Sequence, residues 1–372
     1  MFKHMLFLWT MLSSGGIFSQ HESGLEYRSK IGFLAAHRGT MGHLAQQHSF
    51  AGEISYYVIP KGTKFWHGSY RYPKMGGTLF VGSVGNMDVL GIYGGLYGFM
   101  EFPFVSKRHF RFYGKLSSGL GYTNKVYDPV KNPKNVAMSS HVNALVCLGL
   151  KNEFHFKYSY ISLGLDLTHF SNGANKVPNL GINLPYFSVG FGHRLNWRKL
   201  SPDKALTAST EKSVIMEISA PATPRKKWLY GMTGILSLKE IFPTNGLKYG
   251  VYALNLHMRR FSKPKVGVEL GFDVISKQAI LGYKPEIPKS QWDILQMGLY
   301  AAYLLPLDQF HFVLGMGAYV KDKYKPEDPM YHRIGMRYYF KNGLNAQIQL
   351  KTHWARADYV EWGFGYTFNY KQ

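Results

Sequence analysis

In Thr168-His169-Phe170-Ser171-Asn172-Gly173, a histidine and a serine stand two residues apart at the end of an alternating apolar run, Ile161, Leu163, Leu165 and Leu167. Strand side chains alternate between faces, so residues two apart share one. His169 and Ser171 therefore continue the apolar face. An imidazole can serve as a base and a hydroxyl as a nucleophile, and such a pair on a greasy face points to chemistry on a lipid. Asn183 lies on the following segment, which runs on through Phe187, Val189 and Phe191 in the same parity. If the two segments are antiparallel neighbours, His169, Ser171 and Asn183 converge on one outer wall. Asp166, Thr168 and Phe170 have the opposite parity, which makes Asp166 a poor partner for His169.

The elements that must hold these residues are strands. Runs of about ten residues with period-2 alternation, rich in Tyr, Phe, Gly and Val and closed by turn residues, read as a membrane β-barrel. In the first half they fall near 25–36, 49–59, 76–83, 89–101, 109–121, 137–151, 157–170 and 183–195. In the second half they fall near 227–238, 247–259, 263–275, 291–304, 309–321, 330–340, 343–354 and 357–370. The stretch 60–75 is too long for a tight turn and has room for another strand. In the last segment Val360, Trp362, Phe364, Tyr366, Phe368 and Tyr370 share one face, opposite Tyr359, Glu361, Gly363, Gly365, Thr367 and Asn369. The first face suits hydrocarbon and the second a polar lumen. A soluble sandwich also alternates, but an export signal and an aromatic-rich apolar face running to the end of the last strand favour the barrel.

Residues 1–19 read as a signal peptide: Lys3 and His4, a short apolar core from Met5 to Leu12, then small residues and a cut between Ser19 and Gln20. The core is too short for a spanning helix. In the first half the connections 37–48, 122–136 and 171–182 are long, whereas 102–108 and 152–156 are short. Outer-membrane barrels carry long external loops and short periplasmic turns, which puts the His/Ser pair at the external end. The polar segment 196–226, with Pro202, Pro221 and Pro224, is expected to be a linker between halves 20–195 and 227–372. The halves end alike, in Thr168-His169-Phe170 and Thr352-His353-Trp354 before their final strands. They fit one barrel of about 16 strands or two tandem barrels of about eight.

The formal charge is +22, and +21 once the segment carrying Lys3 is removed. A basic chain suits an anionic partner. The Lys and Arg residues are scattered, with no block or helix of the nucleic-acid type, so nucleic acid is not expected; solvated loops and lipid phosphates both remain open. The lone cysteine, Cys147, excludes an intrachain disulfide and a cysteine metal centre, and its strand-like surroundings make it packing. His37, His43 and His48 gather around the first external loop but match no strong ligand spacing, so no metal is expected. His353 shares parity with Gln349 and Lys351 and has Ala355 two residues on, which makes the second half non-catalytic.

His169-Phe170-Ser171-Asn172 followed by Pro178-Asn179-x-Gly181 resembles the motif of the lipid A 3-O-deacylase (PagL-like, acyloxyacyl hydrolase) family. The resemblance covers roughly residues 25–195. Tyr122-Thr123-Asn124-Lys125 and Asn132-Pro133-Lys134-Asn135 are similar to its longer Bacteroidota members. It implies an outer-membrane β-barrel esterase, in a Gram-negative cell, that removes an ester-linked acyl chain from lipid A within lipopolysaccharide. Ser171 would be the nucleophile, His169 its base and Asn172 the oxyanion residue, with Gly173 letting the backbone approach closely. A Ser-His mechanism needs no cofactor. The family's Glu, 14 residues after the histidine, is here Asn183. An Asn oxygen can accept from imidazole and orient it, but supplies no charge to imidazolium; exchanging acid for amide in a serine triad costs on the order of 10⁴ in rate. The rivals are an inactive structural or lipid-binding barrel of the same family and a pore or transport barrel.

Overall fold

The computed structural model describes residues 21–60, 64–195, 227–283, 285–354 and 356–368. The expected signal segment and the expected linker 196–226 lie outside the described residues. The first eight strands are β1 (Glu22–Phe33), β2 (His48–Ile59), β3 (Lys74–Ser83), β4 (Ile92–Ser106), β5 (Phe110–Thr123), β6 (Val142–His155), β7 (Ser159–Ser171) and β8 (Ile182–Arg194). The second eight are β9 (Leu229–Glu240), β10 (Lys248–Lys263), β11 (Val266–Lys277), β12 (Leu295–Leu307), β13 (Phe310–Lys321), β14 (Met330–Tyr339), β15 (Leu344–His353) and β16 (Arg356–Thr367). β8 pairs back onto β1, with Tyr27 opposite Phe191, and β9 pairs with both β10 and β16. Each set is an antiparallel barrel closed on itself, so the sixteen strands form two barrels of eight. Closure leaves no unpaired edge, as hydrocarbon surroundings demand.

The expected extra strand within 60–75 is instead a short helix, α1 (Phe65–Ser69). Helical spacing brings Trp66 and Tyr70 together, their rings 6.5 Å apart. Tyr70 then donates to Pro306 O at 3.0 Å while its ring lies 5.6 Å from that of Phe102 and Arg71 Nη1 donates to Phe104 O at 3.1 Å, so the segment touches both barrels without adding a strand to either.

Alternation sorts each strand. Outward positions are apolar and bare, such as Leu96, Leu120, Leu165, Trp362 and Phe364. Inward positions carry tyrosines and polar groups, and many of the buried charges are ion-paired. In the first barrel Lys30 Nζ meets Asp166 at 2.7 Å and Glu53 at 2.9 Å, Lys151 meets Glu101 at 2.7 Å, and Arg28 pairs with Glu53. In the second, Arg337 pairs with Glu269 at 2.6 Å and Arg333 with Glu361 at 2.7 Å. A buried charge is tolerable only when paired and hydrogen-bonded, and these networks fill the lumens. Cys147 points inward among them, its sulfur 3.6 Å from Asp166 Oδ1.

Loops 34–47, 84–91, 124–141 and 172–181 leave one end of the first barrel. They fold over it and place Leu34, Met41, Leu44, Leu90 and Met138 in one apolar cluster with Phe80, Tyr93, Phe170 and Ile182. Phe170 lies 5.0 Å from the ring of Tyr93 and 5.8 Å from that of Phe80. Gly121 leaves the space for it: a Cβ there would stand 2.5 Å from the Phe170 ring. Phe170 and Ile182 are thereby anchored inside, and their outward-pointing chain neighbours are held on a firm wall.

Candidate active site

Those outward neighbours are His169, Ser171 and Asn183. His169 on β7 lies directly opposite Asn183 on β8, and Phe170 opposite Ile182. An Asn oxygen can only accept, so His169 Nδ1–H donates to Asn183 Oδ1, at 2.6 Å. The other imidazole nitrogen, Nε2, then carries a lone pair. Asn183 Nδ2 donates to His37 Nδ1 at 3.1 Å. His37 stands in loop 34–47, whose start is fixed by a bond from Ala35 N to Asn183 O, 2.9 Å.

Ser171 ends β7 on the same outward face and is 5% exposed. Its Oγ accepts from Gly173 N at 3.1 Å and from Asn179 Nδ2 at 2.9 Å. A hydroxyl has two lone pairs and one proton. With both lone pairs taken by donors, the proton is what Oγ has left to give. Among the described residues no hydrogen bond joins His169 to Ser171. Same-face neighbours along a strand are about 6.5–7 Å apart at Cα, a gap that an imidazole can bridge toward a serine hydroxyl.

Asn172 and Asn179 divide the labour of the 172–181 loop. Asn179 Oδ1 accepts from Asn172 N at 3.1 Å while its Nδ2 holds Ser171. Asn172 Nδ2 is engaged by Ser140 Oγ at 2.9 Å, Lys176 O at 2.9 Å and Ser139 Oγ at 3.2 Å. The Asn172 side chain thus ties its loop to loop 124–141, and its backbone N–H is also taken. Asn179 is the residue whose position at Ser171 the alternation argument missed; its only signal was the Pro178-Asn179 pair in the quoted motif. Gly173 has φ +66, and a Cβ at that position would collide with Val360 of β16.

Loop 124–141 is braced by the two remaining motif segments. Asn124 Oδ1 accepts from Ile92 N at 2.9 Å. Asn132 Nδ2 donates to Val89 O and Val126 O at 3.0 Å each, and Asn135 Oδ1 accepts from Met138 N at 3.2 Å. Asp128 accepts backbone N–H groups from Lys131 at 2.7 Å and Val130 at 2.8 Å, which hold its carboxyl below the ordinary value of 3.8. Below the site the outer wall carries a shallow apolar groove of about 740 Å³, lined among others by Leu148, Leu150, Leu165, Leu167, Pro185 and Phe187.

His43 and His353 have partners away from this site. His43 bonds Lys134 O at 2.8 Å, and His37, His43 and His48 form no shared ligand set among the described residues. His353 points into the second lumen, where its Nε2 lies 3.2 Å from Tyr319 Oη. It groups there with Glu327 and Asp358. Lys277 already meets those two carboxylates at 2.7 and 2.8 Å, so the chain's own ammonium occupies the place of a cation.

The comparisons with known proteins agree across both barrels. The family model of the lipid A 3-O-deacylase (PagL) matches residues 51–192. The model of the acyloxyacyl hydrolase C-terminal domain matches residues 227–370. No curated protein matches the chain. Among solved structures, Neisserial surface protein A is 9% identical, covers 46% of this chain and 97% of its own, with a TM-score of 0.33. A porin of Rhodopseudomonas blastica is 7% identical over 94% of this chain and 100% of its own, with a TM-score of 0.17. No helix among the described residues is long and apolar enough to cross a membrane, while both barrels turn apolar side chains outward. With one family model on the barrel that carries His169 and Ser171 and a related one on the barrel beside it, the chain belongs to the lipid A 3-O-deacylase (PagL) family of outer-membrane, deacylase-type hydrolases.

Proposed function

We propose that this chain is an outer-membrane serine esterase that hydrolyses an ester-linked acyl chain of lipid A, with Ser171 as nucleophile, His169 as base and Asn183 as the residue that orients His169. The observation that carries the reading is a convergence on one outward face. There Asn183 sets the His169 ring with Nε2 free, and two N–H donors meet at Ser171 Oγ.

In this mechanism His169 Nε2 takes the Oγ proton as Oγ bonds to the acyl carbon. The carbonyl π electrons move onto oxygen, and Gly173 N–H and Asn179 Nδ2 turn from Oγ to that developing oxyanion. Donors aimed at developing charge are worth most where water is excluded, and Ser171 is buried. Collapse breaks the bond to the sugar oxygen, which receives the proton from His169. Water then repeats the sequence on the acyl-enzyme and frees the fatty acid. The oxyanion role expected of Asn172 passes to Asn179 in this reading, and Gly173 keeps its own. The groove along Leu165, Leu167 and Phe187 suits the departing acyl chain, and the basic loop residues suit the lipid's phosphates. Residues 1–19 would direct export in a Gram-negative cell, and the long loops would face outward.

A pore is disfavoured by lumens packed with Arg–Glu and Lys–Asp pairs and tyrosines. The test is to give the purified protein in detergent lipid A and follow released 3-hydroxy fatty acid by mass spectrometry. Wild type is expected to release it and Ser171→Ala to release none. Equal release by Ser171→Ala, or none by wild type, overturns the assignment.

A further inference from the structure

We propose that His37 is a positioning residue: by accepting from Asn183 it decides which way that amide faces, and so which nitrogen of His169 is basic. The inference rests on the esterase reading above. A carboxylate presents acceptors on both sides, so a Glu in place of Asn183 could not be placed backwards. An amide can. With Oδ1 toward His169, the ring keeps its proton on Nδ1 and Nε2 is free to act on Ser171. Turned over, Nδ2 would donate to His169 Nδ1, drive the ring proton to Nε2 and leave the side toward the serine without a lone pair.

The structure places Asn183 in the first arrangement. Asn183 Nδ2 donates to His37 Nδ1 at 3.1 Å while Asn183 Oδ1 receives His169 Nδ1–H at 2.6 Å. A nitrogen that accepts must lack a proton, so in this arrangement His37 Nδ1 carries none. Its place is secured through the backbone, because Ala35 N donates to Asn183 O at 2.9 Å. His37, Asn183 and His169 therefore form one directed chain of hydrogen bonds, and each proton position depends on the next. A second group that orients the first is the arrangement by which ring tautomers are set at catalytic and metal sites.

Polarity at position 37 is the test. His37→Glu presents acceptors only and preserves the direction; it is expected to hold kcat within about threefold of wild type. His37→Lys presents donors only and reverses it; kcat is expected to fall about 10²-fold or more with KM little changed, because a wrong tautomer in a serine triad costs up to about 10⁴. In an Asn183→Glu background there is no amide to turn, and His37→Lys should leave the activity of that background intact. If Lys and Glu at 37 behave alike, or the Lys penalty is the same in both backgrounds, the relay is refuted. A readout independent of turnover separates this from failure of the esterase reading. The ring ¹⁵N shifts of His169 should report Nδ1–H in wild type and Nε2–H in His37→Lys. Unchanged shifts overturn the relay even where Ser171-dependent hydrolysis is seen. Changed shifts sustain it even where wild type releases no fatty acid and only the esterase reading falls.

Discussion

At the scale of single residues, the candidate site is a division of hydrogen bonds among five polar side chains. Ser171 receives two donors, His169 gives one proton to Asn183, Asn183 gives one to His37, and Asn179 spans Ser171 and the Asn172 backbone. Asn179 is the donor whose loss should hurt chemistry most. Asn179→Ala is expected to lower kcat about 10²–10³-fold, the usual cost of one oxyanion donor, with a much smaller change in KM. Steady-state kinetics on lipid A measure it, and an unchanged kcat would remove Asn179 from the reaction. Parity along β7 and β8 was readable from apolar spacing alone, because the strand period is local. Asn179 and His37 were not readable in the same way. Each reaches the site from a loop, and loop side chains obey no period.

At the scale of elements, loop 124–141 acts as a brace. Its asparagines tie it to Val89 and to its own backbone, and Ser139 and Ser140 accept from Asn172. The segments Tyr122-Thr123-Asn124-Lys125 and Asn132-Pro133-Lys134-Asn135 were legible only as a family likeness; the contacts give them a mechanical role. Asp128 gives this brace a pH dependence. Its folded pKa is depressed below 3.8 by the Lys131 and Val130 N–H groups, so its contribution is fully present above that value and is lost as pH falls through the folded pKa. Protease cleavage within 124–141 should therefore stay constant down to about pH 4 and rise below it. In Asp128→Ala it should be elevated at every pH, and a variant matching wild type at pH 7 would exclude the role. The helix α1 escaped the sequence reading for a related reason: five residues are too few for a helical period to show.

At the scale of the whole molecule, the second barrel bears on the first beside the candidate site. Gly173 abuts Val360, with Leu350 3.5 Å from where its Cβ would stand, and Lys248 Nζ reaches Asn175 Oδ1 at 3.4 Å. On the opposite end Lys64 meets Asp308 at 2.8 Å and Tyr70 meets Pro306 O. The exposed Lys64–Asp308 pair is worth only about 0–1 kcal/mol, so the apolar contact at Gly173 matters more for the site. Gly173→Ala adds a collision with Val360 to a left-handed backbone cost of about 1–2 kcal/mol. Lipid A deacylation is expected to fall about tenfold or more. Adding Val360→Ala should recover the steric share and leave the backbone share. If the double variant is no better than Gly173→Ala, the barrels do not meet there.

The sequence by itself determined that the strands alternate, that His169, Ser171 and Asn183 share the outward face, and that Asp166 and His353 turn inward. All of these follow from a two-residue period that each strand carries locally. The tertiary structure alone decided that sixteen strands close as two barrels, since either closure satisfies the same alternation and only the pairing of β8 with β1 selects between them. It alone brought Asn179 to Ser171 and His37 to Asn183. Those bonds join loops to strand ends across as many as 146 residues of chain, a distance over which no periodic pattern carries information.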